Sequence, residues 1–221
     1  MKTNFISFFS IILLLFGIFC IVSCGTGNKN EAQKIVDKMQ FGWNLGNTLD
    51  AHEGAINRNS GVYTEGCWGK PKTTQAMIKG LAKSGIKTIR IPVSWSIHMM
   101  DNNYTIEPEW MNRVKEIVDW SIEEGLYVVI NSHHDNFPGP QNNRKPGYYP
   151  NSTNLTNSMN YIVNIWSQIS LAFNNGYDEH LIFEAMNEPR LAGTTVEWST
   201  DERNELCKDG FICIQKLNQA F

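Results

Sequence analysis

The sequence predicts an α/β fold, namely a (β/α)8 TIM barrel of which about the first four strand-helix units are present. Strand-like and helix-like segments alternate four times between residues 41 and 221, which implies parallel strands covered by helices. No glycine-rich phosphate loop follows the first strand, which disfavours a doubly wound nucleotide-binding sheet. Polar or aromatic residues follow the strands, at the edge where a barrel builds its active site.

Four short apolar segments are predicted to be the strands. They are FGWNLG (41–46), IKTIRIPVSW (86–95), LYVVINSHHD (126–135) and HLIFEAMNE (180–188). Proline has no backbone N–H to donate, so regular pairing of the second strand is expected to end at Pro92.

Segments with apolar residues at helical spacing separate these strands. They are TTQAMIKGLAKSG (73–85), EPEWMNRVKEIVDWSIEEG (107–125) and NLTNSMNYIVNIWSQISLAFNN (154–175), while CIQKLNQAF (213–221) begins another. Pro108 suits a first helical turn, and Gly85 and Gly125 suit C-terminal stops. With 221 residues against about 250 for a whole barrel, the chain is expected to be truncated.

The N-terminus has the layout of an export signal. Lys2 precedes the apolar stretch FISFFSIILLLFGIFCIVSC, which has about the length of a membrane span, so an uncleaved anchor remains open. IVSC followed by glycine resembles the bacterial lipobox. We expect residues 1–23 to be a lipoprotein signal peptide, 24–39 to be the lipidated Cys24 and a polar tether, and 40–221 to form the barrel part. The expected location is the cell surface or outer membrane, with plain secretion as the alternative.

Charge and cysteine content restrict the partners. A net charge of −3, from 19 basic and 22 acidic residues without long runs, argues against nucleic acid, and membrane contact is expected only through the lipid. Without Cys20 and Cys24, three cysteines remain, Cys67, Cys207 and Cys213. A disulfide between Cys207 and Cys213 and buried thiols both remain open.

The run His133-His134-Asp135 looks like a set of metal ligands. Neighbouring residues of a regular strand point to opposite faces, however, and neither an HExxH helix nor a cysteine partner is present. We therefore expect no metal and no cofactor. Ser132 precedes His133 directly and lacks a GxSxG elbow, so serine catalysis is disfavoured too.

Carboxylate chemistry needs a pair of acids. In glycoside hydrolysis the two carboxyl groups lie about 5–5.5 Å apart for retention and about 6.5–9.5 Å apart for inversion. Glu184 and Glu188 lie on one predicted strand, and four residues at about 3.3 Å each span roughly 13 Å. Glu188 therefore needs a partner from elsewhere, and the other strand ends supply no glutamate.

Five stretches together resemble one family. In order they are FGWNLGNTLDA, CWGKPKTT, GIKTIRIPVSW, YVVINSHHD and LIFEAMNEPR. They resemble the bacterial endoglucanases of glycoside hydrolase family 5, especially the subfamily of cellulases, lichenases and xyloglucanases, from about Phe41 to Phe221. The resemblance implies that residues 40–221 are the N-terminal half of a retaining barrel hydrolase of β-1,4-glucans that uses no metal.

The same resemblance implies roles for individual residues. Glu188 matches the acid/base, which protonates the leaving oxygen and then activates water. Asn187 matches the residue that binds the sugar 2-hydroxyl, and Arg90 matches the arginine beneath the nucleophile. His133 matches an active-site histidine, with His134 as its companion in sugar binding.

Further residues are expected near the cleft. Asn47 and Trp68 lie in matching motif loops. The loop aromatics Tyr148, Tyr149 and Trp198 are either platforms for sugar rings or packing residues, and both interpretations remain open.

The nucleophilic glutamate of the family comes from strand seven, which this chain lacks, so we expect the chain alone to be inactive. Xyloglucan, mixed-linkage glucan or mannan as substrate and a noncatalytic surface glycan-binding protein are the alternatives.

Overall fold

The structure is a computed structural model that describes residues 30–52, 64–139, 145–206 and 211–221. The predicted signal peptide, the lipidation residue Cys24, and Cys207 lie outside these residues. The chain divides into two compact units, residues 1–37 and 38–221. None of the described helices combines the length and the apolar character that a bilayer span requires.

A helix, α1 (Glu31–Met39), occupies most of the predicted polar tether. The Gln33 N–H donates to Oδ1 of Asn30 at 2.8 Å, which caps the first turn. Lys34 pairs with Glu31 at 2.7 Å one turn away. These local contacts favour a helix in a segment whose sequence indicated only a polar tether.

The larger unit contains the predicted parallel sheet. Its strands are β1 (Gly42–Asn44), β2 (Thr88–Ile91), β3 (Tyr127–Asn131) and β4 (Leu181–Glu184), in the spatial order β1-β2-β3-β4 and all parallel. The predicted alternation is confirmed, and β2 ends directly before Pro92 as expected. All four strands are shorter than predicted, and the residues predicted at their carboxyl ends lie beyond the paired segments.

Helices cover one face of this sheet. They are α2 (Gln75–Lys83), α3 (Pro108–Glu123) and α4 (Leu155–Phe173), followed by α5 (Thr200–Glu205) and α6 (Phe211–Ala220), with a 3-10 turn at Ser96–His98. The sequence did not predict α5 or the 3-10 turn. Helix α3 packs on α2, β3 and α4, and α4 packs on α6.

The alternation of side chains along each strand separates a buried face from a polar one. Ile89 and Ile91 of β2 are fully buried beneath the helices, as are Val128 and Ile130 of β3. The intervening Arg90 is half-buried on the opposite face, which is the interior face of a barrel. The short strands thus place their polar residues at one edge of one face.

Candidate active site

Arg90 is the centre of a hydrogen-bond network at the carboxyl edge of the sheet. Its guanidinium donates to both carboxylate oxygens of Glu184, from Nε to Oε2 at 2.8 Å and from Nη2 to Oε1 at 2.6 Å. It also donates to Oδ1 of Asn187 at 2.9 Å and to Oδ1 of Asn44 at 3.2 Å. The planar fork of arginine suits this arrangement. One cation therefore links β1, β2, β4 and the segment that follows β4.

Glu184 is the carboxylate that Arg90 holds. Burial favours a raised pKa for Glu184, but hydrogen bonds from Arg90 and from Nδ2 of Asn131 at 3.2 Å outweigh it and lower the pKa from 4.5. The hydrogen bonding between Arg90 and Glu184 also raises the pKa of Arg90. The resemblance implies that Arg90 lies beneath a nucleophile. In the structure its bidentate partner is Glu184, an ionised and immobilised carboxylate.

The Asn187-Glu188 dipeptide projects from the end of β4 toward solvent. Because Arg90 occupies Oδ1 of Asn187, the side-chain Nδ2 is the donor that Asn187 can offer a ligand. The φ angle of Glu188 is +41°, in the left-handed region that residues other than glycine rarely adopt. Such strain concentrates at functional sites. Glu188 is exposed and lines a cavity.

His133 is a neutral imidazole with a defined tautomer. Oδ1 of Asn131 accepts the Val93 N–H at 3.3 Å, so the Nδ2 end of that amide faces Nδ1 of His133, at 3.1 Å. Nδ1 therefore accepts, and the proton resides on Nε2. Burial, reinforced by the charges of His134 and Arg90, lowers the pKa of His133 to about 4. The side chain thus offers an uncharged Nε2–H donor near neutral pH.

His134 lies beside His133 and shares a carboxylate with it. The ring centroids are 4.4 Å apart, and Oδ2 of Asp50 lies 3.5 Å from Nε2 of His134 and 4.0 Å from Nε2 of His133. Burial favours a raised pKa for Asp50, but hydrogen bonds from His134 and the Thr48 N–H lower it.

This geometry corrects part of the sequence argument. β3 ends at Asn131, so the alternation of a regular strand no longer applies to His133 and His134, and both rings approach Asp50. Potential ligand atoms of these three residues lie within 4.8 Å of one another. The expectation that the site uses no metal stays a prediction.

Two cavities adjoin this histidine pair. The smaller, about 270 Å³, is lined by His52, His133, His134, Asn136, Phe137, Asn187, Glu188, Arg190, Ala192 and Gly193. The larger, about 890 Å³, extends from the same two histidines to Asp50 and Asn47 and onward to the exposed Trp43 of β1. Asn187 and Glu188 line the smaller cavity and Asn47 lines the larger, while the histidine pair lines both. The two cavities together are called the cleft.

The remaining predicted site residues lie along this cleft. Asn47 adopts a left-handed backbone, with φ of +62°, and lines the larger cavity. The Trp68 ring meets His134 and His52 at centroid distances of 5.5 Å and 5.1 Å. Trp68 thus reaches the cleft through an aromatic cluster.

Of the two interpretations open for Tyr148 and Tyr149, the structure supports packing residues and not sugar platforms. Both rings are buried, and their hydroxyls donate to backbone carbonyls in the segment after β4. Trp198 is 71% exposed, and the guanidinium of Arg190 lies over its ring, 4.4 Å from the centroid. Trp198 remains a candidate platform.

Asp135 is a structural residue of the site that the sequence signalled only as a metal ligand. Its fully buried carboxylate accepts from the backbone N–H groups of Trp95 and Ser96, each at 3.0 Å, from Oγ of Ser132 at 2.8 Å and from the Tyr161 hydroxyl at 2.7 Å. The polar run around it, from Ser132 to Asn136, does not mark Asp135 as buried. Its partners on Trp95, Ser96 and Tyr161 come from distant segments, so the sequence could not indicate them either.

Comparisons with known proteins agree with this geometry. The profile of the family described as Cellulase (glycosyl hydrolase family 5) matches residues 49–220. Endoglucanase B of Ruminococcus albus is 44% identical over 182 residues, which cover 81% of this chain and 40% of that protein. Endoglucanase A of Clostridium longisporum is 45% identical over 171 residues, covering 76% of this chain and 31% of that protein.

Solved structures give the same result. A family 5 lichenase from Caldicellulosiruptor sp. F32 superimposes with a TM-score of 0.79 at 45% identity, covering 87% of this chain and 49% of that chain. A mutant of that lichenase in complex with cellotetraose gives a TM-score of 0.78 at 44% identity, with the same coverage. The chain thus spans less than half the length of these relatives. The family profile nevertheless matches well over half of the chain, and the chain belongs to glycosyl hydrolase family 5.

Proposed function

We propose that the protein containing this chain is a retaining endo-β-1,4-glucanase in which Glu188 is the acid/base. One observation carries the proposal. Glu188 lines the smaller cavity on a left-handed backbone, directly after an asparagine whose Oδ1 is held by Arg90. A strained, exposed acid beside an oriented amide suits proton transfer to a bound sugar better than a structural turn.

Each residue of the cleft then has a definite task. Glu188 protonates the glycosidic oxygen as the bond to the anomeric carbon breaks, and later takes a proton from the attacking water. Nδ2 of Asn187 donates to the 2-hydroxyl of the sugar being cleaved, a contact that strengthens in the transition state. The Nε2–H of His133 adds a neutral donor.

The second carboxylate of a retaining mechanism forms the glycosyl-enzyme and lies about 5–5.5 Å from the first. Among the described residues, the acids near the cleft are already engaged. Glu184 is clamped by Arg90, Asp50 bonds His134, and Asp135 is fully buried. We therefore place the nucleophile outside the described residues, on a part of the protein that faces Glu188 across the cleft.

The test is Glu188→Gln in the complete protein. We expect the hydrolysis of carboxymethyl cellulose and cellotetraose to fall by at least about 100-fold, since general acid-base catalysis contributes about 10²–10⁴-fold. Cellotetraose binding, measured by calorimetry, should persist. Glu179→Gln is the matched control, because Glu179 is exposed at the opposite end of β4, and its activity should equal that of the parent.

Retention of parent-like turnover by Glu188→Gln would refute the assignment. A parent that binds cellotetraose but hydrolyses none of carboxymethyl cellulose, lichenan, xyloglucan and mannan would instead favour a noncatalytic glycan-binding protein. The endoglucanase relatives, together with the lichenase bound to cellotetraose, support a β-glucan as the substrate.

Export through a lipid-modified Cys24 is part of the proposal. Its support is the sequence itself, a basic start followed by an apolar stretch that ends in IVSC and glycine. A polysaccharide too large to enter a cell requires an enzyme outside it, which agrees with a lipoprotein at the surface.

A further inference from the structure

The peptide between Asn187 and Glu188 is held by residues outside the substrate cleft. Glu188 leaves this peptide with a φ of +41°. A backbone of this kind persists only where its surroundings fix it. The position of the Glu188 carboxyl therefore depends on whatever holds the Asn187-Glu188 peptide plane.

Two hydrogen bonds hold Asn187, one on each of the two peptide planes that flank it, and the Asn187 carbonyl belongs to the plane shared with Glu188. The Asn187 N–H donates to the Ser132 carbonyl at 2.9 Å, which ties the segment after β4 to the segment after β3. The Asn187 carbonyl accepts a hydrogen bond from the Tyr148 hydroxyl. The carbonyl of His133 lies 3.4 Å from the same hydroxyl. One phenol thus lies between the backbones that carry His133 and Glu188.

Tyr148 is itself rigidly placed. Its ring is fully buried, and its N–H donates to the Asp135 carbonyl at 3.0 Å. A Cβ on Gly147 would lie 1.8 Å from that same carbonyl oxygen, so the backbone approach requires glycine. Burial also raises the pKa of Tyr148 well above its usual value, so the hydroxyl remains a donor. The donor is therefore pre-organised and always protonated.

We infer that Tyr148 is a positioning residue for the acid/base, and that its hydroxyl fixes the Asn187 carbonyl and thereby the direction in which Glu188 presents its carboxyl to the glycosidic oxygen. The inference rests on the proposed role of Glu188. Tyr148 touches no substrate, because its ring lies in the core and its hydroxyl faces backbone.

Tyr149 provides a matched control. Its ring is 3% exposed and its hydroxyl donates to a backbone carbonyl in the same segment, that of Ala192, at 3.0 Å. Tyr148→Phe and Tyr149→Phe each remove one phenol-to-carbonyl hydrogen bond from a buried ring. They should therefore lower the melting temperature to a similar extent. A difference in activity between the two variants then reflects the position of the Glu188 carboxyl and not a general loss of stability.

The decisive measurement uses two leaving groups in the complete protein. Cellotetraose has a poor leaving group, which needs the proton from Glu188. The 2,4-dinitrophenolate of 2,4-dinitrophenyl β-cellobioside is a good leaving group and departs without a proton. For Tyr148→Phe we expect kcat/KM on cellotetraose to fall about 30-fold, in the range produced by a small misplacement of a catalytic group. On the dinitrophenyl substrate the fall should be about 3-fold or less, since general acid catalysis is not needed there. Tyr149→Phe should match the parent on both substrates.

Each outcome is decisive. Equal losses on the two substrates, or parent-like values on both, would overturn the role of Tyr148 while leaving that of Glu188 intact. If Tyr148→Phe does not fold, p-aminophenylalanine at position 148, which retains a donor, should preserve the leaving-group dependence of the parent. Failure of that variant to do so while folded would also overturn the inference. A parent inactive on both substrates would refute the proposed function itself.

Discussion

Protonation of His133 is expected to destabilise the fold as the pH falls below neutrality. The imidazole is mostly enclosed, with 13% of the side chain exposed, and Nδ1 accepts from Asn131, so the folded state favours the neutral ring. With a lowered pKa in the folded state, the unfolded chain takes up the proton first. The contribution to stability is therefore complete above a pH of about 6.5 and is lost as the pH falls toward about 4.

The size of the effect follows from the two pKa values. The ordinary value is 6.5 and the folded value is about 4, and at 1.36 kcal/mol per unit the whole difference corresponds to about 3 kcal/mol. At about pH 5 the unfolded ring is almost fully protonated and the folded ring only about one tenth so. About 2 kcal/mol of the stability present at about pH 7 is therefore lost at about pH 5.

Urea unfolding of the complete protein, followed by tryptophan fluorescence, measures this quantity. His133→Gln removes the titrating ring, so from about pH 7 to about pH 5 the parent should lose about 2 kcal/mol more than the variant. His180→Gln, in the loop before β4, is the control and should follow the parent. A parent and a His133→Gln variant whose free energies of unfolding change in parallel would refute the reasoning, as would an NMR titration of His133 centred near 6.5.

Two further predictions concern the arginine fork and the lipid. Arg90→Lys keeps the charge but cannot hold Glu184 and the asparagines together, so kcat should fall by about 100-fold. Arg113→Lys breaks an equally bidentate pair with Glu65, and neither of these two residues lines the cavities. This variant should have a lower melting temperature and an unchanged kcat. Equal kcat losses in the two variants would contradict a specific role for Arg90. In a bacterial host fed a labelled fatty acid, the parent should take up label and Cys24→Ser should not, whereas label retained by Cys24→Ser would exclude that residue as the acceptor.

The fold was predictable because its signals are local. The alternation of periodicities gave four strands and their parallel arrangement, and Pro92 gave the end of β2. The end of β3 was not predictable from the sequence of the strand itself. It ends at Asn131 because the side chains of Asn131 and Asp135 accept N–H groups from the segment after β2, and this pairing exists only after the strands assemble.

Tyr148 and Tyr149, in the segment GYYP, are a second case in which the sequence did not determine the position of a side chain. A loop aromatic beside a predicted cleft can stack on a sugar or pack in the core, and composition does not distinguish the two. Here Gly147 permits the close approach to Asp135, which carries both rings inward. The sequence signal that could have favoured packing is the glycine before Tyr148, since a position without Cβ often marks a close backbone contact.

The two glutamates of LIFEAMNEPR show how the register separates residues that look alike in sequence. Asn131 pairs with Glu184 across β3 and β4, and Arg90 lies one strand further on the same face, so Glu184 meets a guanidinium fork and an amide and becomes a fixed anion. Glu188, four residues later, has left the sheet on a left-handed backbone and faces the cavity. Distance along a strand was enough to exclude the two glutamates as a catalytic pair. Only the pairing of the strands explains why the Glu184 carboxylate is hydrogen-bonded to Arg90 and Asn131. Under the proposed function, Glu184 serves as a fixed structural anion held by Arg90, and the acid that attacks the sugar is expected from another element of the barrel.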